Sequence, residues 1–334
     1  AVEQLKNGAR TDIRTIPAII GGDQKSRHGI VLAKSVPAKK YGIRTGEPVA
    51  NAFRKCPNLH MEAPDHEMYH KHSRELMAFL RSYTPDIEQV SVDECYMDFT
   101  GISGRFASPV EAAFEIKDEV KRRFGFTVNI GISDVKVLAK MASDFEKPDR
   151  VHTLFRKEIQ EKMWPLPISN LFMAGNSSVE TLRKLEIQTI GDLAKADPKL
   201  IELHLKSHGR RLWEFANGMD DSIVESEKAE AKGVGNSTTL SKDVTTKEDA
   251  QKVLLSLAQS VGGRSAKTTD IMQVWSMWKY KYADFTVNSH QKQLERMTAS
   301  DQVIYQTAVE LFCECGMENH PPARNPDFQA VAGG

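Results

Sequence analysis

Short apolar runs broken by turn residues make up the N-terminal part of the chain. Residues 16–23 and 29–33 each have the length and composition of a strand, and the connection between them is polar. Two short helical stretches follow at residues 38–41 and Val49–Lys55, and Pro57 ends the second one. The pattern predicts a small layer of strands and helices.

A helical period is clearer further along the chain. Apolar positions in residues 67–83 recur at the spacing of one helix face. Ser108 precedes Pro109 and stands three residues before Glu111, an arrangement typical of a helix N-terminus. Gly125 is then the expected helix end. The sequence therefore predicts one helix before and one helix after the stretch at residues 90–99.

Strand and helix patterns alternate again in the middle of the chain. Residues 127–132 alternate as a strand, and residues 135–145 return to helical spacing. Two short helices around a turn are indicated at 180–185 and 190–196. The order strand, helix, strand, helix predicts an α/β layer, and a small helical domain follows it.

The last third of the chain begins with a linker pattern. Residues 220–235 are charged and bounded by glycine, as linkers often are. Residues 247–261 read as a helix, and residues 272–287 read as one long alternating strand. Lys279 and Lys281 share one face of that strand, which would allow both lysines to meet phosphate groups.

Composition places the chain among ordinary globular proteins. It has 334 residues, of which 40% are apolar and 27% charged, and its 45 basic and 45 acidic residues give a net charge of zero. A neutral balance argues mildly against nucleic-acid binding, so only a local concentration of charge can support such binding. No membrane span or secretory signal is visible, and the four cysteines are sparse, so we expect a cytoplasmic location.

Two adjacent carboxylates, Asp93 and Glu94, interrupt the strand-like stretch at residues 90–99. Neighbouring side chains of a strand point to opposite faces, so these two can converge only at a hairpin tip or a strand end. A pair of converging carboxylates makes a hard, oxygen-rich site that suits Mg²⁺. Lys140 and Lys147 flank the following helix and provide the cations that a phosphate reader beside a metal would need.

A competing pattern lies upstream of these acids. His66-Glu67-Met68-Tyr69-His70 matches the H-E-x-x-H pattern that presents two zinc ligands on one helical turn. Glu88 is at a plausible distance to be a third ligand. The pattern alone indicates a zinc metallopeptidase, which we keep as a remote alternative.

Taken together, these segments resemble the Y-family translesion DNA polymerases of the DNA polymerase IV or UmuC type. The resemblance extends over nearly the whole chain and weakens toward its end. Four separated stretches carry it: RHGIVLAKS at 27–35 with AKKYGIRTGEP at 38–48, CPNL at 56–59, SVDE at 91–94 with DFTG at 98–101, and GIS at 131–133 with LAKMASD at 138–144 and Lys147-Pro148.

The resemblance implies an α+β multidomain fold, a right-hand polymerase with a ferredoxin-like palm, small fingers, a helical thumb and an α/β little finger. The implied limits are 1–64 for the fingers with part of the palm, 65–158 for the palm, 159–224 for the thumb, 225–234 for a linker and 235–334 for the little finger. The implied partners are primer-template DNA and deoxynucleoside triphosphates.

The resemblance also implies specific roles. Asp93 and Glu94 match metal ligands for two Mg²⁺ ions in nucleotidyl transfer. Lys39, Lys140 and Lys147 match cations at or near the triphosphate. Gly175, Thr189 and Gly191 match thumb positions that grip the DNA backbone through amides and helix N-termini, and Lys279 and Lys281 are expected to contact DNA from the little finger.

The chain departs from the family pattern at several places. Members carry a third metal-binding aspartate and an aromatic steric gate on a strand upstream of the segment that matches Ala1-Val2-Glu3-Gln4. Met173 and Glu186 stand where the thumb usually has glycine, and Val36-Pro37 replaces Tyr-Glu. The alternative to an active enzyme is therefore an inactive protein that still binds primer-template DNA. A sliding clamp is a possible partner by resemblance, although the C-terminal residues contain no Gln-x-x-Leu-Phe peptide.

Overall fold

The computed structural model describes residues 1–22, 29–227, 233–240, 244, 246–265, 273–281, 287–314 and 327–333. The helices are α1 (Val2–Lys6), α2 (Val36–Lys40), α3 (Val49–Lys55), α4 (His66–Leu80), α5 (Pro109–Phe124), α6 (Lys136–Ser143), α7 (Asn176–Lys184), α8 (Ile190–Lys195), α9 (Pro198–Ala216), α10 (Lys247–Ser265) and α11 (Asp301–Glu314). Short 3₁₀ turns occur at Thr100–Arg105, Arg156–Glu158 and Ile168–Asn170, and a π-helical turn at Ile159–Met163.

The strands are short in the first two thirds of the chain and longer in the last third. They are β1 (Ala18–Gly21), β2 (Val31–Lys34), β3 (His60–Glu62), β4 (Ile87–Gln89), β5 (Cys95–Met97), β6 (Ile130–Ile132), β7 (Val151–Thr153), β8 (Gly233–Thr239), β9 (Gln273–Lys281), β10 (Val287–Thr298) and β11 (Asp327–Gly333). None of the helices within the described ranges combines the length and the hydropathy needed to cross a bilayer.

The chain forms two compact units. One comprises Ala1–Arg10 with Asp65–Lys228, and the other Thr11–Pro64 with Ala229–Gly334. This division is coarser than the predicted fingers, palm, thumb and little finger, so those limits stay a prediction. Of the predicted linker, residues 228–232 lie outside the described residues.

Helix α5 of the first unit forms where the local signals predict it. Ser108 Oγ accepts a hydrogen bond from Glu111 N at 3.1 Å, and Pro109 lies in the first turn. The Glu111 carboxylate reaches back to Ala107 N at 3.0 Å. Gly125 ends the helix with φ at 76°, the left-handed conformation that glycine adopts without steric cost. Ser108 thus satisfies an otherwise unpaired N–H of the first turn, and Gly125 N donates to Lys121 O at the other end.

Two hydrophobic cores hold the first unit together. α4 and α5 pack against the antiparallel β4–β5 hairpin, and the buried side chains are Leu76, Met77, Phe79, Leu80, Ile87, Ile116 and Val120. The second core runs from α6 through the short helices to α9, so the helical segment packs directly on α6. β6 pairs in parallel with β7 from Ile130 onward. The predicted strand at 127–132 is therefore shorter than expected, because its pairing with β7 starts only at Ile130.

The second unit contains two sheets. In the three-stranded sheet the order is β2–β1–β3, where β1 is antiparallel to β2 and parallel to β3. Side chains of β1, β2, α2 and α3 share one core. The four-stranded sheet has the order β10–β9–β11–β8, and α10 and α11 pack together in a separate core. Both sheets combine strands with helices, in agreement with the predicted α+β class.

Two sequence predictions of secondary structure need correction. The single strand predicted at residues 272–287 is replaced by β9 and β10, which pair antiparallel, whereas residue 272 and residues 282–286 lie outside the described residues. α9 is not predicted by the pattern at all. Its backbone leaves helical geometry at Lys206 (φ 55°, ψ −146°), and this break interrupts the recurrence of apolar positions along one face.

We expect that Glu186→Gly raises the free energy of unfolding by about 0.5–1 kcal/mol. Glu186 has φ at 63°, a left-handed conformation that a side chain with a Cβ adopts only under strain. Chemical denaturation measures the change. Glu180→Gly within α7 is the matched control and should lower stability by about 1 kcal/mol. A loss of stability in Glu186→Gly would contradict the prediction.

Candidate active site

Asp93 and Glu94 lie at the tip of the β4–β5 hairpin. The register pairs Gln89 with Cys95, so the intervening residues form the turn. Val90 N and Ser91 N both donate to the Glu94 carbonyl oxygen, at 3.0 and 3.2 Å. The sequence prediction of a hairpin tip is therefore confirmed.

Ser91 organises this tip. Its hydroxyl donates to Asp93 Oδ1 at 2.7 Å and accepts a hydrogen bond from Glu94 N at 3.0 Å. Both acidic side chains are exposed, and the side chain of Glu94 retains 47% of its accessible surface. Ser91 is a site residue that the charge and spacing arguments missed, although a serine two residues before an aspartate in a turn is a recognised backbone-bonding pattern. The tip thus presents two adjacent carboxylates to solvent in a fixed backbone.

Lys140 on α6 contacts the acidic tip directly. Its Nζ atom lies 2.5 Å from Glu94 Oε1 and 3.5 Å from Asp144 Oδ2, and its side chain is only 17% exposed. Burial lowers the pKa of Lys140, but the two carboxylates outweigh this effect and the pKa is raised above its usual value. A permanent positive charge therefore lies beside the predicted metal ligands.

Lys147 is connected to the same group through Asp144. Lys147 Nζ lies 2.6 Å from Asp144 Oδ1, and 54% of the Lys147 side chain is exposed. The structure thus brings Asp93, Glu94, Lys140 and Lys147 into one chain of contacts. Asp144, which links the two lysines, was not selected from the sequence; an aspartate four residues after one lysine and three before another was the available signal.

Lys39, Lys279 and Lys281 lie in the second compact unit. Lys39 is exposed in the last turn of α2, which Ser35 caps by accepting from Ala38 N, and Pro37 lies in the first turn of this helix. Lys279 stands opposite Ser289 and Gln329 in the sheet, and Lys281 stands opposite Val287. Both residues thus belong to β9, and their contact with DNA stays a prediction.

The predicted thumb positions Thr189 and Gly191 have internal roles at the start of α8. Thr189 Oγ1 accepts from Asp192 N, and Thr189 N donates to the Asp192 carboxylate. Gly191 is buried, its N–H donates to Trp164 O at 3.0 Å, and an added Cβ would lie 3.0 Å from Trp164 Cβ. These groups are already bonded within the protein, so the contact of Thr189 and Gly191 with the DNA backbone stays a prediction.

The start of α7 differs from that of α8. Gly175 occupies the cap position without any side-chain hydrogen bond. Within the described part of the chain, the amides of residues 176–178 have no hydrogen-bond acceptor, whereas Val179 N donates to Gly175 O. A helix N-terminus with unpaired N–H groups attracts phosphate. Gly175 therefore remains at a surface suited to the DNA backbone.

The H-E-x-x-H pattern does not assemble a zinc site. His66 is the first residue of α4, and both His66 and His70 are exposed. The Glu88 carboxylate is bonded to Lys136 Nζ and to Glu225 N. In the described ranges, no group of three or more His, Cys, Asp or Glu side chains is arranged around a common metal position. The zinc peptidase hypothesis therefore has no structural support.

Asp93 and Glu94, unlike the histidines of the H-E-x-x-H pattern, provide the kind of ligands that magnesium prefers. Mg²⁺ prefers oxygen ligands and is often held by one or two carboxylates together with waters and substrate phosphates. Two exposed carboxylates at a hydrogen-bonded tip, with lysines nearby for the phosphates, match that donor set.

Comparisons with known proteins show which family the chain belongs to. Residues 1–144 match the impB/mucB/samB family, and residues 231–325 match the impB/mucB/samB family C-terminal domain. The DNA polymerase IV of Clostridium acetobutylicum is 46% identical over 314 residues, which is 94% of this chain and 79% of that relative. The DNA polymerase IV of Alkaliphilus oremlandii is 36% identical over 89% of this chain and 74% of its own length.

A solved structure shows the same fold. A Y-family DNA polymerase chimera of Dbh and Dpo4 superposes with a TM-score of 0.84 at 21% identity, covering 99% of this chain and 94% of the chimera. The expected right-hand polymerase fold is thereby confirmed. On the family match, the sequence identity and the fold together, this chain belongs to the impB/mucB/samB family and is a Y-family DNA polymerase.

Proposed function

We propose that this chain extends a primer on damaged or distorted template DNA, with the Asp93–Glu94 tip as its metal-binding site. The observation that carries the proposal is the contact chain in which Glu94, Lys140, Asp144 and Lys147 follow one another within 3.5 Å. These contacts place the proposed metal ligands beside cations suited to a triphosphate. The family relationship supports metal-dependent nucleotidyl transfer as the reaction.

Asp93 and Glu94 would hold two Mg²⁺ ions together with water and the phosphate oxygens of the incoming nucleotide. When bound, these ions favour attack by the primer 3′-hydroxyl and neutralise the triphosphate. Ser91 restrains the Asp93 carboxylate through its 2.7 Å hydrogen bond. Lys140 offsets part of the negative charge that the two carboxylates place at the tip.

The triphosphate is the proposed partner of three lysines. Lys147 is exposed and bonded only to Asp144 among the described contacts, so its ammonium group can turn toward a phosphate. Lys39 is exposed and has no carboxylate partner in the described residues. Lys140 is held more firmly and would act on the phosphates nearest Glu94.

Contacts with the DNA backbone are proposed at α7 and β9. The unpaired amides that follow Gly175 suit a phosphate, and they provide a contact that does not depend on base sequence. Lys279 and Lys281 of β9 are proposed to contact the DNA backbone through their charge. A sliding clamp as partner and a cytoplasmic location stay predictions.

We expect that Lys147→Ala raises KM for the incoming nucleotide about tenfold and changes kcat by less than a factor of about three. The lysine would contribute to nucleotide binding as a charge, which the alanine removes. Single-nucleotide incorporation at varied nucleotide concentration measures both constants. Lys157→Ala is the matched control, because Lys157 is exposed and has no ion pair among the described contacts. An unchanged KM in Lys147→Ala would contradict the assigned role.

A further inference from the structure

Lys136, the first residue of α6, has an unusually complete set of contacts for a lysine. Its side chain is only 15% exposed. Its Nζ atom lies 2.6 Å from Glu88 Oε2 on β4 and 2.8 Å from the carbonyl oxygen of Ile223. The same atom lies 4.9 Å from the ring centre of Tyr96 on β5. One cation thus holds both strands of the β4–β5 hairpin.

Glu88 is fixed from a second side. Its Oε2 atom also accepts a hydrogen bond from Glu225 N at 2.8 Å. Burial raises the pKa of Glu88, but the bonds from Glu225 N and Lys136 outweigh burial, so the pKa lies below its usual value. Glu88 is therefore an ionised, well-bonded carboxylate directly opposite Tyr96 in the register.

Lys136 and Lys140 attach the same hairpin to α6 at two points. They stand four residues apart, which places them on one face of the helix. Lys136 holds Glu88 near the base of the hairpin, and Lys140 holds Glu94 at its tip. The start of α6 is fixed in turn, because Val137 N donates to Asp220 Oδ2 at 3.0 Å. The α4–α5 core holds one side of the hairpin, and the two lysines fix it to α6 both near its base and at its tip.

We propose that Lys136 is a positioning residue for the metal-binding pair Asp93 and Glu94, acting through Glu88 and the hairpin. The inference rests on the proposed function of that pair. Without Lys136, Glu88 is a partly buried carboxylate lacking its cation, and the hairpin is attached to α6 only at Glu94. A shift of about 1 Å at a reacting centre can cost about a hundredfold in rate. Lys136 itself touches neither metal nor substrate.

The test compares Lys136→Met with Lys117→Met. Lys117 on α5 is a matched control, because its side chain is 10% exposed and pairs with Asp118 and Asp149, which are not on the hairpin. Manganese binding is followed by electron paramagnetic resonance of free Mn²⁺, with deoxynucleotide and a dideoxy-terminated primer-template present. Steady-state incorporation is measured in parallel below the unfolding temperature of each variant.

We expect Lys136→Met to weaken Mn²⁺ binding about tenfold and to lower kcat about 10- to 100-fold, with KM for the nucleotide within about twofold. Lys136→Arg retains the cation and should recover most of kcat. Lys117→Met should match the wild type in both measurements. Wild-type values in Lys136→Met, or equal losses in Lys117→Met, would overturn the positioning role alone. Absence of Mn²⁺ binding and of extension in the wild type would overturn the proposed function together with it.

Discussion

Asp93→Ala is expected to lower Mg²⁺-dependent primer extension about a thousandfold or more, a loss of about 4 kcal/mol of transition-state stabilisation. The carboxylate is one of two at the hairpin tip and would hold metal directly. Its side chain is exposed and its backbone bonds run through Ser91, so the substitution should leave the fold unchanged. Single-nucleotide extension on an undamaged template measures the rate, and fluorescence anisotropy measures the affinity for primer-template DNA.

Asp221→Ala serves as the matched control for this experiment. Asp221 is exposed in the same compact unit and has no ion pair or side-chain hydrogen bond among the described contacts. Its replacement should change neither rate nor affinity by more than about twofold. Asp93→Ala that extends primers at the wild-type rate would remove Asp93 from the metal site. A wild type that binds DNA without extending it would instead favour the inactive DNA-binding protein.

Gly131→Ala is expected to lower the free energy of unfolding by about 3 kcal/mol. Gly131 is the middle residue of β6, and α6 packs tightly over it. An added Cβ would lie 1.9 Å from the carbonyl oxygen of Ala139 and 2.5 Å from Ser143 N, both backbone atoms of α6. The helix must therefore move away from β6, and it carries Lys136 and Lys140. Urea denaturation measures the stability, and the extension assay should show reduced activity as well.

The matched control for Gly131 is Gly104→Ala. A Cβ at Gly104 meets no atom within 4 Å, so stability should change by less than about 0.5 kcal/mol. Wild-type stability in Gly131→Ala would show that α6 can withdraw from β6 without cost, and the packing of α6 would then not fix its two lysines.

Local signals in the sequence were sufficient for some elements of the fold. The ends of α5 were predictable because each end has a residue suited to it. Ser108 caps the N-terminus, Pro109 suits the first turn, and Gly125 adopts the left-handed conformation at the C-terminus. The alternation at 272–287 could not show where β9 ends and β10 begins, because period two continues on both sides of a hairpin. α9 was not predicted, because the backbone at Lys206 leaves helical geometry and breaks the helical period of the apolar positions.

The functional site was predictable where chemistry forced a conformation. Two adjacent acids in a strand-like stretch can converge only at a hairpin tip or a strand end, and the structure has a hairpin tip there. The link between Lys136 and Glu88 joins residues 48 positions apart, and neither residue is distinctive in the sequence. The burial of Gly191 against Trp164 could not be predicted from the sequence either. A glycine shortly after a capping threonine is equally compatible with close packing and with phosphate binding. Both contacts depend on packing between residues that lie far apart in the sequence, which local patterns do not reveal.

The most direct measurement is a crystal structure of this chain with dideoxy-terminated primer-template DNA, a nucleotide triphosphate and Mn²⁺, using the anomalous signal of manganese. We expect anomalous peaks about 2.1 Å from carboxylate oxygens of both Asp93 and Glu94, with the triphosphate between these peaks and Lys147. Manganese bound elsewhere, with Asp93 and Glu94 free of metal while the triphosphate is in place, would contradict the assignment of this hairpin tip as the catalytic metal site.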